Sequence, residues 1–495
     1  MLLFAAYNST IKWKYSVSIS SMLGAINVDI KIMPTKLEIR FISCMLALLS
    51  ASAFAQIEPI ASIEAGSDLA EILSDARAND PTYQASKLRL DADLEGLPEA
   101  RSSLFPQISA NVIGNDIDES ASVTGGDNPF LVQGDVMYTA HSYGLQLRQV
   151  IFSPAIFSQV RRAQIEAEIA NAGLEIANQD LLLRAARGYF EVLLANDNLD
   201  LASANLKSSE EQYRQIESRY EVGLATRADF QQALARWQTA IADDIVARNS
   251  MQSIERILEV ITDTRYSNLA DLPDDTDVSL VLTGIDRTSW IKLVEENNLS
   301  LYQQQLRLEV AGRSVDIEKA GHYPTLDAVI DYGTRVNNGS LFGAATRNQT
   351  TNASLQLSIP IFTGGRVQSR IRSANYEFEA VRQDLSFTHS QVMTDAENLL
   401  DQLSSQIQII EALSKAVEAN KLALEAKQEG FKAGIETNLN VLDAQRDLFQ
   451  ASLNYNRARY DTLILRLQLE QVAGNLSDMH LGQLNVMLVP LPSGR

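Results

Sequence analysis

Two hydrophobic periods alternate along this chain. After Pro106, Ile108, Ala110 and Val112 alternate with Gln107, Ser109 and Asn111, and further on Tyr143, Leu145 and Leu147 alternate with Gly144, Gln146 and Arg148. The pattern returns where Leu326, Ala328, Ile330 and Tyr332 stand against Asp327 and Asp331, and where Ala353, Leu355, Leu357 and Ile359 stand against Asn352, Ser354, Gln356 and Ser358. Period two with one apolar face predicts four β-strands. At about nine residues each they fit tilted membrane strands, although a soluble sandwich would alternate in the same way. The polar loops Gly125-Gly126-Asp127-Asn128-Pro129 and Asn337-Asn338-Gly339 between them suit an extracellular side. Four strands are too few to close a barrel, so several chains must contribute.

Between the strand pairs the period changes. From about Pro154 to Val222, and from about Arg366 to Ala433, the chain runs without an internal proline, which predicts two helices of about 100 Å each. Pro154 suits a first helical turn, and Gly223 and Gly434 suit the stops. Apolar residues recur every seventh position at Leu199, Leu206, Tyr213 and Tyr220, and again at Ile410, Val417, Leu424 and Phe431. Such heptads predict coiled-coil packing, and the small residues Ala202-Ser203-Ala204-Asn205 permit close helix approach.

The chain is written twice. Leu145-Gln146-Leu147 answers Leu355-Gln356-Leu357 at 355 − 145 = 210, and Tyr220-Glu221-Val222-Gly223 answers Phe431-Lys432-Ala433-Gly434 at 431 − 220 = 211. Phe105-Pro106 answers Tyr323-Pro324 at 323 − 105 = 218. A repeat this long is a duplicated domain half. The organisation expected is a first repeat over 56–270 (helix, two strands, long helix, hairpin, helix), a linker over 271–285, a second repeat over 286–480 and a tail over 481–495. The linker's Asp271-Leu272-Pro273-Asp274-Asp275-Thr276-Asp277 is read as solvated, since the spacing of a calcium loop is missing.

Residues 1–55 read as an extension and a cleaved signal. Lys36 and Arg40 precede an apolar run from Phe41 to Leu49, and Ala53-Phe54-Ala55 offers a cleavage site before Gln56. Met33 would give a compact start. Cys44, the sole cysteine, falls inside the apolar run, so the exported chain is expected to carry no disulfide. Beyond that run no stretch of about 18 apolar residues occurs, and a membrane would have to be crossed by strands. The 42 Lys/Arg and 62 Asp/Glu leave the chain at −20. Such a charge repels nucleic acid and would favour cations in a lumen lined by carboxylates.

No enzyme chemistry is legible. His141, His322, His389 and His480 are scattered, and neither a phosphate-binding loop nor a G-x-S-x-G elbow occurs. No cofactor or metal is expected. Attention falls instead on the two turns, where Val222-Gly223-Leu224 and Ala433-Gly434-Ile435 put apolar residues at the far ends of very long helices. They read either as plain helical hairpins or as a surface for a partner helix. Asp229, Asn440 and Asp443 follow these turns; around an axis they would form charged rings, and in isolation they are helix-start residues.

The order of signal, strand pairs, long helices and hairpins resembles the TolC-type outer-membrane efflux proteins over residues 66–485. The resemblance rests most on Tyr220-Glu221-Val222-Gly223-Leu224-Ala225-Thr226 and on Gly434-Ile435-Glu436-Thr437-Asn438-Leu439-Asn440-Val441-Leu442-Asp443. It implies a mainly α fold with a β-barrel portion: a trimeric α-helical barrel joined to a 12-stranded β-barrel, four strands per chain. It also implies an outer-membrane duct for efflux or type I secretion that docks onto a periplasmic adaptor and an inner-membrane pump or ABC exporter. By the same resemblance Val222, Gly223, Leu224, Ala433, Gly434 and Ile435 meet the adaptor, and Asn440 and Asp443 match entrance carboxylate rings, of which Asp443 alone keeps the acid. Phe431, Glu436 and Asp229 match an aromatic, a basic and an acidic residue of the closing network. Glu436 cannot pair with Asp229 as a base would, which implies a gate held in another way. The stretch from Ala444 to Leu476 is similar to members serving type I secretion. The rival is a soluble periplasmic coiled-coil adaptor or scaffold, which would need no alternating strands.

Overall fold

The computed structural model describes residues 67–122, 134–266, 268–273, 276–278, 284, 286–340 and 343–489. The expected signal over 1–55, the loop at 125–129 and parts of the 271–285 linker lie outside the described residues.

Each half opens with a broken helix. In the first, α1 (Leu69–Asn79) gives way to α2 (Pro81–Leu94) at Asp80, and α3 (Gly96–Ser102) leads to the strands. Asp80 adopts φ −60°, ψ 116° and accepts a hydrogen bond from the Tyr83 amide, while Pro81 fills the first turn, where its missing N–H costs nothing. In the second, α6 (Arg287–Asn297) gives way to α7 (Leu299–Lys319) at Asn298, with φ −60°, ψ 120° and the Leu301 amide as donor. Asp80 and Asn298 are 298 − 80 = 218 residues apart, the offset of the Phe105 and Tyr323 landmarks.

The strands are β1 (Gln107–Ala121), β2 (Gly134–Phe152), β3 (Thr325–Asn337) and β4 (Thr346–Ser358), an antiparallel sheet in the order β1-β2-β3-β4. Register places Ile108 beside Leu147, Leu147 beside Ile330 and Ile330 beside Ala353, so the apolar face runs unbroken across all four. Its side chains are bare in the single chain, with Val112 82% and Leu355 73% exposed. On the other face Gln146 donates to Asp331 (2.8 Å) and Arg148 pairs with Asp327 (3.1 Å). Arg148, Asp327 and Asp331 thus share one face of the sheet, and the first two form an ion pair on it.

Two hairpins of helices extend from the sheet. The first joins α4 (Pro154–Glu221) to α5 (Arg227–Thr262), and the second joins α8 (Arg366–Lys432) to α9 (Asn438–Val472). The final helix, α10 (Asp478–Asn485), carries the chain across position 481 without a break, and Leu481, Leu484 and Leu488 are buried. They join the main core at mid-length, where α1 and α10 pack with the middle of α4 and the upper part of α9 through Ile72, Leu182, Phe190, Tyr460 and Leu467. Buried polar groups there find partners. The Tyr189 hydroxyl donates to Ala270 O (2.6 Å), that of Tyr460 to Asp197 (2.9 Å), and the Arg459 guanidinium to the carbonyls of Leu272 and Pro273. Arg77 grips Asp478 with two hydrogen bonds and ties α10 to α1.

In the second half Ile410 is buried where the heptad puts it, but in the first the heptad sits differently from its expected place. The fully buried seven-residue row of α4 is Ala195, Ala202, Ser209 and Ile216, four residues before each expected position. Tyr213 and Tyr220, read as heptad positions, instead hold the first hairpin together. Tyr213 stacks on Trp237 (4.9 Å) and Tyr220 on Phe230 (5.1 Å), with Tyr213 to Phe230 at 5.8 Å. Three of the four side chains in that buried row are small, which permits close helix approach, and the aromatic ones lie outside it.

Candidate functional site: the hairpin tips

The two turns are built alike. Gly223 N donates to Tyr220 O (3.0 Å) and Leu224 N to Arg219 O (2.8 Å); Gly434 N donates to Phe431 O (3.1 Å) and Ile435 N to Gly430 O (2.8 Å). The turn needs a left-handed residue, and Gly223 (φ +74°) and Gly434 (φ +75°) supply it without the strain of a Cβ. Val222, Leu224 and Ile435 are exposed, Ile435 by 82%, and Ala433 is exposed beside them. Thr226 then caps α5 and Thr437 caps α9.

Beyond the turns the repeats part. Asp229 and Asn440 are mates at 440 − 229 = 211, each three residues after its cap. The Asp229 carboxylate accepts from Thr226 N (3.0 Å) and Thr226 Oγ1 (2.6 Å), closing a reciprocal capping box. Asn440 instead donates its side-chain amide to Glu436. Glu436 lies against Gly430, where an added Cβ would come within 2.7 Å of Glu436 Cγ. The repeat mate of Gly430 is Arg219 (430 − 211), whose guanidinium covers the Phe431 ring at 4.7 Å. Asp229, Glu436 and Phe431 are therefore each held by a different partner within the chain.

Asp443 pairs with Arg236 of α5 at 3.2 Å and lies 3.7 Å from Arg446. Gln212 donates to Asn438 (3.1 Å), and Gln445 to Asn205 (3.1 Å). Sequence reasoning missed Arg219, Arg236, Gln212 and Gln445. A signal was available for two of them, since the 211 offset pairs Arg219 with Gly430 and Arg236 with Asp447, positions where the halves differ in charge.

The outer membrane efflux protein family matches the chain over residues 72–262 and 290–475, once per half. The chain belongs to this family. It is 30% identical over 450 residues to outer membrane protein TolC of Vibrio cholerae serotype O1, covering 90% of this chain and 97% of that one. It is 28% identical over 410 residues to the alkaline protease secretion protein AprF of Pseudomonas aeruginosa, covering 82% and 84%. Among solved structures, the Campylobacter jejuni CmeC outer membrane channel shares the fold with a TM-score of 0.69 at 16% identity, over 91% of this chain and 94% of that one. VceC of Vibrio cholerae does so with a TM-score of 0.67 at 18% identity, over 82% and 96%. As an outer membrane efflux protein, the chain is an outer-membrane channel with a long periplasmic helical part, and the soluble adaptor or scaffold reading falls away.

Proposed function

We propose that three copies of this chain close a twelve-stranded barrel through the outer membrane and continue it inward as a helical tunnel, the passive exit duct of an efflux or type I secretion system. The observation that carries this is the sheet. Among the described residues its edges β1 and β4 are each paired on one side only, and one face carries an apolar band in which Ile108, Val112, Leu145 and Leu355 are exposed. Backbone groups cannot stay unpaired in lipid, so further copies must supply the missing neighbours, and lipid covers the apolar face. The repeats over 56–270 and 286–480 become equivalent staves of one tube, joined by the linker over 271–285.

At the inner end the exposed tips, Val222-Gly223-Leu224 and Ala433-Gly434-Ile435, are the contact for a periplasmic adaptor, which connects the duct to an inner-membrane pump or ABC exporter. Asn440 and Asp443 line the entrance, with Phe431, Glu436 and Asp229 around it. The relatives include a protease secretion protein and TolC proteins, and both protein secretion and efflux fit one water-filled duct.

The experiment is extraction of the membrane-inserted protein in detergent, its mass by light scattering and its conductance in planar bilayers, with an export assay on a deletion strain. A conducting trimer whose loss abolishes export is expected. A monomer that stays soluble without detergent would overturn the reading.

A further inference from the structure

The apolar face of the sheet does not end with the strands. Phe152, Leu326 and Leu357 lie side by side at its helical end. The Phe152 ring meets Phe157 edge to face at 6.0 Å, which carries the apolar surface onto the first turn of α4. Arg161 stands one turn further on the same side of that helix, about 6 Å beyond Phe157 along the axis. Although α2 and α7 both pack against α4, Arg161 is exposed. The second half repeats the arrangement. Phe362 is the mate of Phe152 at 362 − 152 = 210 and is 89% exposed, and Arg372 is the mate of Arg161 at 372 − 161 = 211 and is exposed as well. Among the described residues neither guanidinium has an ion-pair or hydrogen-bond partner, and Glu166, the acid nearest to Arg161 in sequence, is taken by Arg162 at 3.2 Å. In a chain of net charge −20 these are two uncompensated cations set just beyond an apolar band.

We propose that Arg161 and Arg372 bind the phosphates of anionic phospholipids in the inner leaflet of the outer membrane, so that three copies, with two such arginines each, carry a cationic collar around the duct. The proposal rests on the barrel reading, which puts the apolar face against lipid. Spacing and chemistry both support it. The headgroup layer is about 5–7 Å thick on each side of the hydrocarbon, so aromatic rings at the hydrocarbon edge place a side chain one helical turn away among the phosphates. A guanidinium offers a phosphate two parallel hydrogen bonds, which an ammonium cannot. A zwitterionic headgroup brings its own cation to the site, whereas phosphatidylglycerol brings only the negative charge, and the collar selects the second. Lipids held at this level fix how deep the duct sits in the bilayer.

The test adds phosphatidylglycerol and phosphatidylethanolamine in equal amounts to the detergent-purified assembly and counts the lipids retained by native mass spectrometry. The wild type should hold phosphatidylglycerol in preference. Arg161→Gln and Arg372→Gln should each weaken that binding by about fivefold, and the double variant by more. Arg256→Gln, which removes an exposed arginine of α5 beside the mid-length core, should leave it unchanged. Raising salt from about 0.05 to about 0.5 M should reduce the wild-type preference, a measurement that needs no substitution and keeps the test open if a variant fails to assemble. Equal retention of the two lipids by the wild type, or phosphatidylglycerol binding that survives the double substitution, would overturn the collar. Protein that selects phosphatidylglycerol through these arginines yet forms no conducting trimer would instead overturn the barrel reading.

Discussion

Asp263 and Gly474 end the two return helices in the same left-handed conformation, at φ +54° and +67°, and stand 474 − 263 = 211 residues apart. One repeat meets the requirement with glycine and the other with aspartate, which among side-chain-bearing residues is one of the few that visit this region. An added Cβ at Gly474 would fall 2.1 Å from Asn297 O. Gly474→Ala should destabilise the protein by about 2–4 kcal/mol, from strain and overpacking together. Asp263→Gly should be neutral or gain about 0.5 kcal/mol. Heat-denaturation midpoints of the detergent-purified protein measure both.

Asp80 is buried, with 2% exposure, and receives two hydrogen bonds from Arg184 (3.0 and 3.2 Å). Burial pushes its carboxyl up, but the Arg184 guanidinium and the Tyr83 amide outweigh burial and hold it below its ordinary value. The folded state therefore prefers the carboxylate. This contribution is complete above the unfolded pKa of about 4 and is lost as pH falls through the lower folded value. Asp80→Asn keeps the cap but leaves the Arg184 guanidinium with Asp180 (2.9 Å) as its charged partner, and should cost about 1–2 kcal/mol at neutral pH. Melting midpoints followed from pH 7 to acid should fall in the wild type and change less in the variant.

The aromatic ladder Tyr213, Trp237, Phe230 and Tyr220 belongs to the first hairpin alone, since the 211 offset puts Leu424, Leu448, Val441 and Phe431 in the second. Trp237→Ala should loosen the first hairpin by about 2–4 kcal/mol and leave the second in place. Limited trypsinolysis should then cut faster at Arg219 or Arg227 but not at Lys432.

On the sheet, Leu355 and Asn352 lie on opposite faces of β4. Leu355→Arg should cost about 2–4 kcal/mol in the bilayer and lower the amount of inserted protein, whereas Asn352→Arg should insert normally. Quantitative blotting of outer-membrane fractions compares the two.

What the residues announce locally, they announce well. The strands follow from alternation, the long helices from the proline-free runs that Pro154 begins and Gly223 and Gly434 end. The break at Asp80 was missed although Asp80-Pro81 is a cap followed by a first-turn proline. Its mate Asn298 has no proline after it, and only the 218 offset exposes it. The Arg236–Asp443 ion pair lies deeper still, because its partners are 207 residues apart and neither carries a local pattern that names the other. Heptads told that the helices pack but not which side chains take the tightest row, for that choice depends on how closely two backbones approach.

The offset between the repeats falls from 218 before the strands to 211 after the turns, so the first half spends 218 − 211 = 7 more residues on its passage through the sheet. In an assembly of three copies, six hairpins of nearly equal length would give the inner tunnel an approximate sixfold axis. The longer first strand pair, with twelve residues between β1 and β2 against eight between β3 and β4, breaks that symmetry at the outer mouth. Cargo would leave a corridor that repeats every sixty degrees through an opening that repeats every one hundred and twenty.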